Sequence, residues 1–343
     1  MQAQAMNNAI ASVLQSGRID TSGTQAGDVH LLADGGHIKV DGRITANSTN
    51  PDAKGGQIVI GRDVDSGKLA LSTDVSGAEL ESQKGFVETS GDWLTTANTQ
   101  VKADQWLLDP YNVTISGSSS GTAYVDPGTT YVYTPTATSS IKAADVAASL
   151  NNGTSVTIST GAAGSTGGDV GDIAVNASIT TSGSTNTALT LQAARNITFS
   201  SGSQITRSGT GKLDVTLNSN FSGANSGEAN SGYIQMDSGS GITSNGGNIT
   251  LGGGSAGDGS GNAVGNSGGG KSGVGIYLNN ATLSSGAGNI VMNAKGDVNN
   301  GAGFVYGVIV DAASQVKTTG GNITINGTGG GAAGTYYLSL IHI

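Results

Sequence analysis

Apolar positions in this chain fall in short alternating groups, apolar-x-apolar, separated by glycine and small polar residues. One phrase recurs. An apolar anchor is followed by three or four small polar residues, a Gly-Gly or Gly-x-Gly pair, and then an apolar-x-apolar group. It occurs as ITSNGGNITL at 242–251, LSSGAGNIVM at 283–292 and VKTTGGNITI at 316–325, and in all three the anchors lie seven residues apart. Looser copies run from Ile19 to Val29 and Leu31, from Ile44 to Ile58 and Ile60, and from Ile179 to Leu189 and Leu191. Alternation of period two predicts strands, and glycine between them predicts tight turns. No single phrase buries its own apolar row. Stacking the phrases does so, with parallel strands about 4.8 Å apart and inward Ile, Val and Leu in continuous ladders. The expected fold is therefore all-β, a parallel β-helix or solenoid with Gly/Ser-rich loop inserts. A β-sandwich or barrel is the competing layout, but it wants hairpin turns at regular spacing, which the chain lacks.

Two segments depart from this pattern. Residues 6–15 place Met6, Ile10, Val13 and Leu14 at helical spacing and predict a short helix covering one end of the core. Residues 141–152 (IKAADVAASLNN) predict a second, with Ile141, Val146 and Leu150 on one face and Asn151, Asn152 and Gly153 as the stop. The chain thus divides into an end helix or fragment start at 1–16, a first solenoid section at 17–115, a connector with a short helix at 116–153, a second repeat section at 154–334 and a tail at 335–343. The second section is interrupted by a Gly/Ser insert at 252–275, expected as a mobile loop. The tail breaks the repeat and reads as non-native sequence.

Composition sharpens the fold and narrows the function. Glycine supplies 58 of 343 residues, about twice the usual share, and only 11% of residues are charged. The net charge of -9 argues against nucleic acid, whose phosphates require clustered Lys and Arg. Cysteine is absent, which removes disulfides and thiolate chemistry. No apolar run reaches the length of a spanning helix, and the first residues do not form a signal peptide.

Two segments are more specific than composition. They are Gly85, Phe86, Val87, Glu88, Thr89, Ser90 and Gly91 (GFVETSG), and Trp106, Leu107, Leu108, Asp109 and Pro110 continuing as YNVTI to Ile115. Together they resemble the signature of filamentous-haemagglutinin and high-molecular-weight adhesins, the exoproteins of two-partner secretion. The strand GGQIVIG at 55–61 and the stretch from Ile141 to Ile158 resemble the same family. The likeness spans about 17–158 and continues to 334 as repeat texture. It implies a right-handed β-helix, export through an outer-membrane transporter partner, a secreted or cell-surface location, and adhesion to a host or neighbouring cell-surface receptor or glycan. On this reading the chain is an internal fragment, not an enzyme, and needs no cofactor or metal. The alternatives are a haem-haemopexin-binding exoprotein of the same secretion class, a carbohydrate-active β-helix enzyme, and a stalk for a distant toxin domain.

Other candidate chemistry is sparse. GNSGGGKS at 265–272 matches a phosphate loop, but its setting in a Gly/Ser insert lacks the strand before it and the helix after it. Asp258 offers a single calcium ligand where a shell needs six to eight oxygens. His30 and His37 are candidates to meet across adjacent strands as a haem or metal pair, and His342 lies in the tail. Asp63, Asp65, Asp74, Glu79 and Glu81 cluster in sequence, with solvated turns as the plainer reading. Phe86, Trp93 and Trp106 are either a sugar-stacking platform or packing residues, and packing is favoured.

Overall fold

The computed structural model describes residues 2–4, 11–118, 138–160, 171–221, 232–266, 273–297 and 305–330. The tail with His342, the core of the phosphate-loop match at 267–272, most of the connector and residues 6–10 of the first expected helix lie outside the described residues. The fold is almost wholly β, built from parallel strands stacked coil upon coil, and is a parallel β-helix. Chain contacts divide it into two compact units, Met1–Ile158 and Ser159–Ile343.

In the first unit one sheet is made by Val29–Asp34, Gln57–Ile60, Glu79–Ser90, Gln100–Asp109 and Ser155–Ser159, with Arg18–Asp20 and Arg43–Thr45 stacked on the start of Glu79–Ser90. A second sheet is made by Ser12–Gln15, His37–Val40, Ser72–Asp74, Trp93–Thr95, Ser139–Lys142 and Val113–Ser116. The expected helix over 6–15 is corrected here. Ser12–Gln15 is a strand, because Val13 is buried and Leu14 is 58% exposed, a period of two, and the segment pairs in register with His37–Val40. The second expected helix is present as Ala143–Asn151, with Val146 and Leu150 fully buried and Asn152 followed by Gly153 in the left-handed region, where glycine carries no Cβ penalty.

Among the described residues of the second unit the strands fall in three sheets, with one strand of each coil in each and Ala263–Val264 as an addition to one of them. Five coils stack Ile173–Val175 to Val308–Asp311, Ile179–Thr181 to Gln315–Lys317, and Thr187–Gln192 to Ile323–Thr328. The recurring phrase is now explained. Its first anchor belongs to one sheet, its glycines form the corner, and its apolar-x-apolar group belongs to the next. Register aligns Ile179, Ile205, Ile242, Leu283 and Val316 in one ladder, and Leu189, Val215, Ile249, Ile290 and Ile323 in another. The third strand of each coil, such as Ile234–Met236 or Ile276–Asn279, is the part of the repeat that the phrase omits.

Corner chemistry sets the Gly-Asn pair. A Cβ on Gly288 would lie 2.0 Å from the carbonyl oxygen of Gly247, and one on Gly321 2.0 Å from that of Gly288. Only hydrogen fits there. Beside them Asp214, Asn248 and Asn289 each accept, through a side-chain oxygen, the backbone N–H of the equivalent residue one coil on: Asn248 (2.7 Å), Asn289 (2.9 Å) and Asn322 (2.8 Å). Ser244 and Ser285 close the same corners by donating to the carbonyls of Gly247 and Gly288, both at 2.6 Å.

The described part of the Gly/Ser insert is not a free loop. Ala263–Val264 pairs in parallel with Ala294 and Lys295 of Ile290–Lys295, and Gly253 bridges Gly261. The intervening residues fold back onto the outside of the sheet. Gln192 donates to the Gly257 carbonyl (3.0 Å), Asn218 to that of Gly254 (3.0 Å) and Asn293 to that of Gly259 (3.0 Å), while the Gly259 N–H donates to Asn218 (3.1 Å). These bonds satisfy peptide groups that a glycine-rich loop would otherwise leave to water.

Candidate functional site

The two signature segments are neighbours in one sheet. Glu79–Ser90 and Gln100–Asp109 pair Phe86 with Gln105, Val87 with Trp106, Glu88 with Leu107, Thr89 with Leu108, and Ser90 with Asp109. Alternation turns Val87, Thr89, Trp106 and Leu108 into the core, where all are fully buried. Indole burial demands a partner for its N–H, and Trp106 donates to the Thr89 hydroxyl at 3.1 Å. The Thr73 hydroxyl reaches the Ser90 carbonyl at 2.6 Å and ties the segment to the second sheet.

Glu88 points outward yet is fully buried. Its cover is the turn 61–70, in which Arg62 bridges Leu69 and the Ala70 N–H donates to the Gly61 carbonyl. Arg62 grips the Glu88 carboxylate with two hydrogen bonds, from Nε and from Nη2 (2.8 Å), and the Ser90 hydroxyl adds a third (2.8 Å). Fork geometry of this kind makes arginine the natural partner for a buried carboxylate. Asp109 is the second acid of this cluster. Desolvation, with the Glu88 charge adding to it and Arg62 opposing it, pushes its carboxyl up to about 7. Burial also raises Asp92, against a hydrogen bond from Tyr111. Gly85 has no room for a side chain, since a Cβ would meet the Gly56 carbonyl oxygen at 2.6 Å. Gly91 is less confined, its Cβ position 3.0 Å from the Thr73 hydroxyl, and Pro110 is buried just after the strand. The signature is thus a packed joint with an ion cluster beneath a turn.

The acidic candidates do not converge. Asp63 caps its own turn by accepting from the Asp65 and Ser66 N–H groups, which lowers its pKa. Asp74 is buried in the second sheet, 3.1 Å from the Lys39 amine. Glu79 and Glu81 stand on the outer face of the first sheet, paired with Arg43 (3.7 and 2.9 Å), with Lys102 3.6 Å from Glu81. That face holds a groove of about 230 Å³ lined by Arg43, Glu79, Glu81, Gln100, Lys102 and Asn152. It is below the roughly 300 Å³ of pockets that enclose small molecules and suits surface contact.

His30 and His37 do not meet across adjacent strands, because they belong to different sheets. His30 pairs in register with Val59, and His37 with Ser72, whose hydroxyl lies 2.6 Å from its Nδ1. Of the aromatic trio, Trp93 and Trp106 are buried and only Phe86 faces outward, half-buried between Gln57 and Gln105. No three-ring platform exists. Asp258 is exposed and accepts from the Ser260 N–H, and among the described residues no group of three or more His, Cys, Asp or Glu side chains could hold a metal ion. Sequence reasoning missed Arg62. Its signal was only its place next to Gly61 at the end of a strand.

No family model and no curated protein matches this chain.

Proposed function

We propose that this chain is a segment of a surface-exposed or secreted adhesin of the filamentous-haemagglutinin type, acting without catalysis. The observation that supports this reading is the in-register pairing of the two signature segments, residue against residue, so that the motif forms one structural joint. Its hydrophobic half packs the core through Trp106 and its polar half is locked by Arg62, Glu88 and Ser90.

The mechanism is geometric. Parallel stacking repeats outward residues at the strand spacing, as in Thr180, Thr206, Thr243 and Ser284. Weak polar contacts to a receptor or glycan, each repeated along such a column, sum to avidity without any deep pocket. Export through an outer-membrane transporter partner belongs to the same reading.

The test is binding of the purified chain to epithelial cells and to a glycan array, with circular dichroism confirming the β-fold. Saturable binding supports an adhesive segment. A folded chain that binds neither would make it scaffold and move adhesion elsewhere.

A further inference from the structure

The first sheet of the first unit lacks a strand at one place. Arg18–Asp20, Arg43–Thr45 and the starts of Glu79–Ser90 and Gln100–Asp109 stack there in register, but the next coil brings the helix Ala143–Asn151 instead and rejoins the sheet only where Ser155 pairs with Gln105. The bared edge is closed by Thr154, whose hydroxyl accepts the Ala103 N–H at 3.0 Å, so no added peptide strand is called for. The groove of about 230 Å³ opens at this place. It is lined by Asn152 from the end of the helix and by the outward side chains of Arg43, Glu79, Glu81, Gln100 and Lys102 from the sheet.

Two kinds of side chain meet in this groove. Glu81 is committed to the fold: its carboxylate accepts from Arg43 Nη2 at 2.9 Å and from Gln83 Nε2 at 3.0 Å, with the Lys102 amine 3.6 Å away. It holds both cations in place. Glu79, Gln100 and Asn152 are exposed and uncommitted. The Glu79 carboxylate lies 3.7 Å from Arg43 Nη1, too far for a hydrogen bond, and the Gln100 and Asn152 side-chain amides make none among the described residues.

We infer, resting on the adhesive function proposed for the chain, that this groove takes one uncharged hexopyranose residue of a receptor glycan. Arg43 and Lys102 balance Glu79 and Glu81, so the groove has no net charge to draw a sugar acid. An acidic ring would have to break the Arg43–Glu81 pair to be met by a free cation. The uncommitted groups are planar. Each amide offers a donor beside an acceptor and the carboxylate offers two acceptors, which matches neighbouring ring hydroxyls that both donate and accept. The volume admits a single ring and leaves the rest of a glycan in solvent. No aromatic side chain lines the groove to stack on the ring, so one contact is weak and useful affinity needs several chains on one surface.

The experiment is titration of the full chain with the methyl glycosides of glucose, galactose and mannose and with methyl glucuronide, read by saturation-transfer NMR. The expected result is saturable, millimolar binding of at least one neutral glycoside, weakened about tenfold in the double variant Gln100→Ala, Asn152→Ala at an unchanged unfolding midpoint. Both side chains are exposed, so the variant keeps the fold. Thr180→Ala, on the other unit, is the control and binds as the parent does. Glycoside binding that survives the double variant overturns the groove and leaves the adhesive reading standing. Binding of no neutral glycoside, or tighter binding of the glucuronide than of the glucoside, overturns the inference, and the binding of the same chain to epithelial cells then judges the adhesive reading by itself.

Discussion

The backbone N–H of Asn289 donates to the side-chain oxygen of Asn248, 2.9 Å away on the preceding coil. Asn248 in turn donates its own N–H to Asp214, so one residue serves both neighbours. Replacing Asn248 by Ala removes an acceptor and leaves a strand-end N–H to water, a loss of about 1 kcal/mol. Asn248→Asp keeps the acceptor and stays within about 0.5 kcal/mol of the parent. Urea denaturation of the three proteins checks this, and equal losses in both variants would show that the amide nitrogen matters more than the oxygen.

Gly288 makes a harsher demand than its asparagine neighbour. Its Cβ position is 2.0 Å from a backbone oxygen that cannot move without shifting the coil below. Gly288→Ala is expected to cost about 3 kcal/mol or more, in the range of the severe overpacking mechanisms. Gly17, with nothing within 4 Å of its Cβ position, is the control, and Gly17→Ala is expected to be neutral. Unfolding midpoints of both variants measure the contrast.

The repeat was legible because it obeys local rules: alternation fixes which residues enter the ladder, and the corner fixes the Gly-Asn pair. The helix at Ala143–Asn151 was legible for the same reason, from periodicity and its Asn-Gly stop. Residues 11–15 misled because Val13 and Leu14 fit a helical face as well as a strand, and only pairing with His37–Val40 decides between them. Burial on the outer face was illegible. Alternation marks Glu88 as a solvent position, and its burial depends on a turn that starts at Gly61, more than two dozen residues away. The glycine insert shows the same limit, since its order comes from Asn218 and Asn293 on other coils. In both units a segment that sequence reads as loop lies on a sheet that sequence reads as bare.

Two buried carboxyls make a contribution to stability that should fall as pH rises from about 4 to about 7. Asp109 is raised to about 7, chiefly by desolvation with Glu88 adding to it, and Asp145 to about 6, again chiefly by desolvation. A carboxyl raised by folding favours the neutral form in the fold. Its stabilising contribution is complete below the ordinary carboxylate value near 4 and is lost as pH climbs to the folded value. Asp109→Asn keeps the shape and removes one titration, so its midpoint-against-pH curve should be flatter between 5 and 7 than that of the parent. An unchanged slope would mean that Asp109 ionises normally.

Arg62 and Glu88 test whether the signature joint is held by charge or by shape. Arg62→Met leaves the fully buried Glu88 carboxylate with only the Ser90 hydroxyl from this trio, and breaking such a pair from one side typically costs about 3–5 kcal/mol. Arg62 is about one-third exposed, so the lower end of that range applies. Adding Glu88→Gln to Arg62→Met removes the orphaned charge while retaining a side chain that accepts from Ser90, and should recover part of the loss. Glu88→Gln alone leaves Arg62 with water on its exposed side and is the milder single change. Chemical denaturation of the four proteins in a double-mutant cycle gives the coupling directly. Coupling near zero would assign the joint to the packing of Trp106 against Val87 and Thr89, with the ion pair a passenger on a fold set by the ladder.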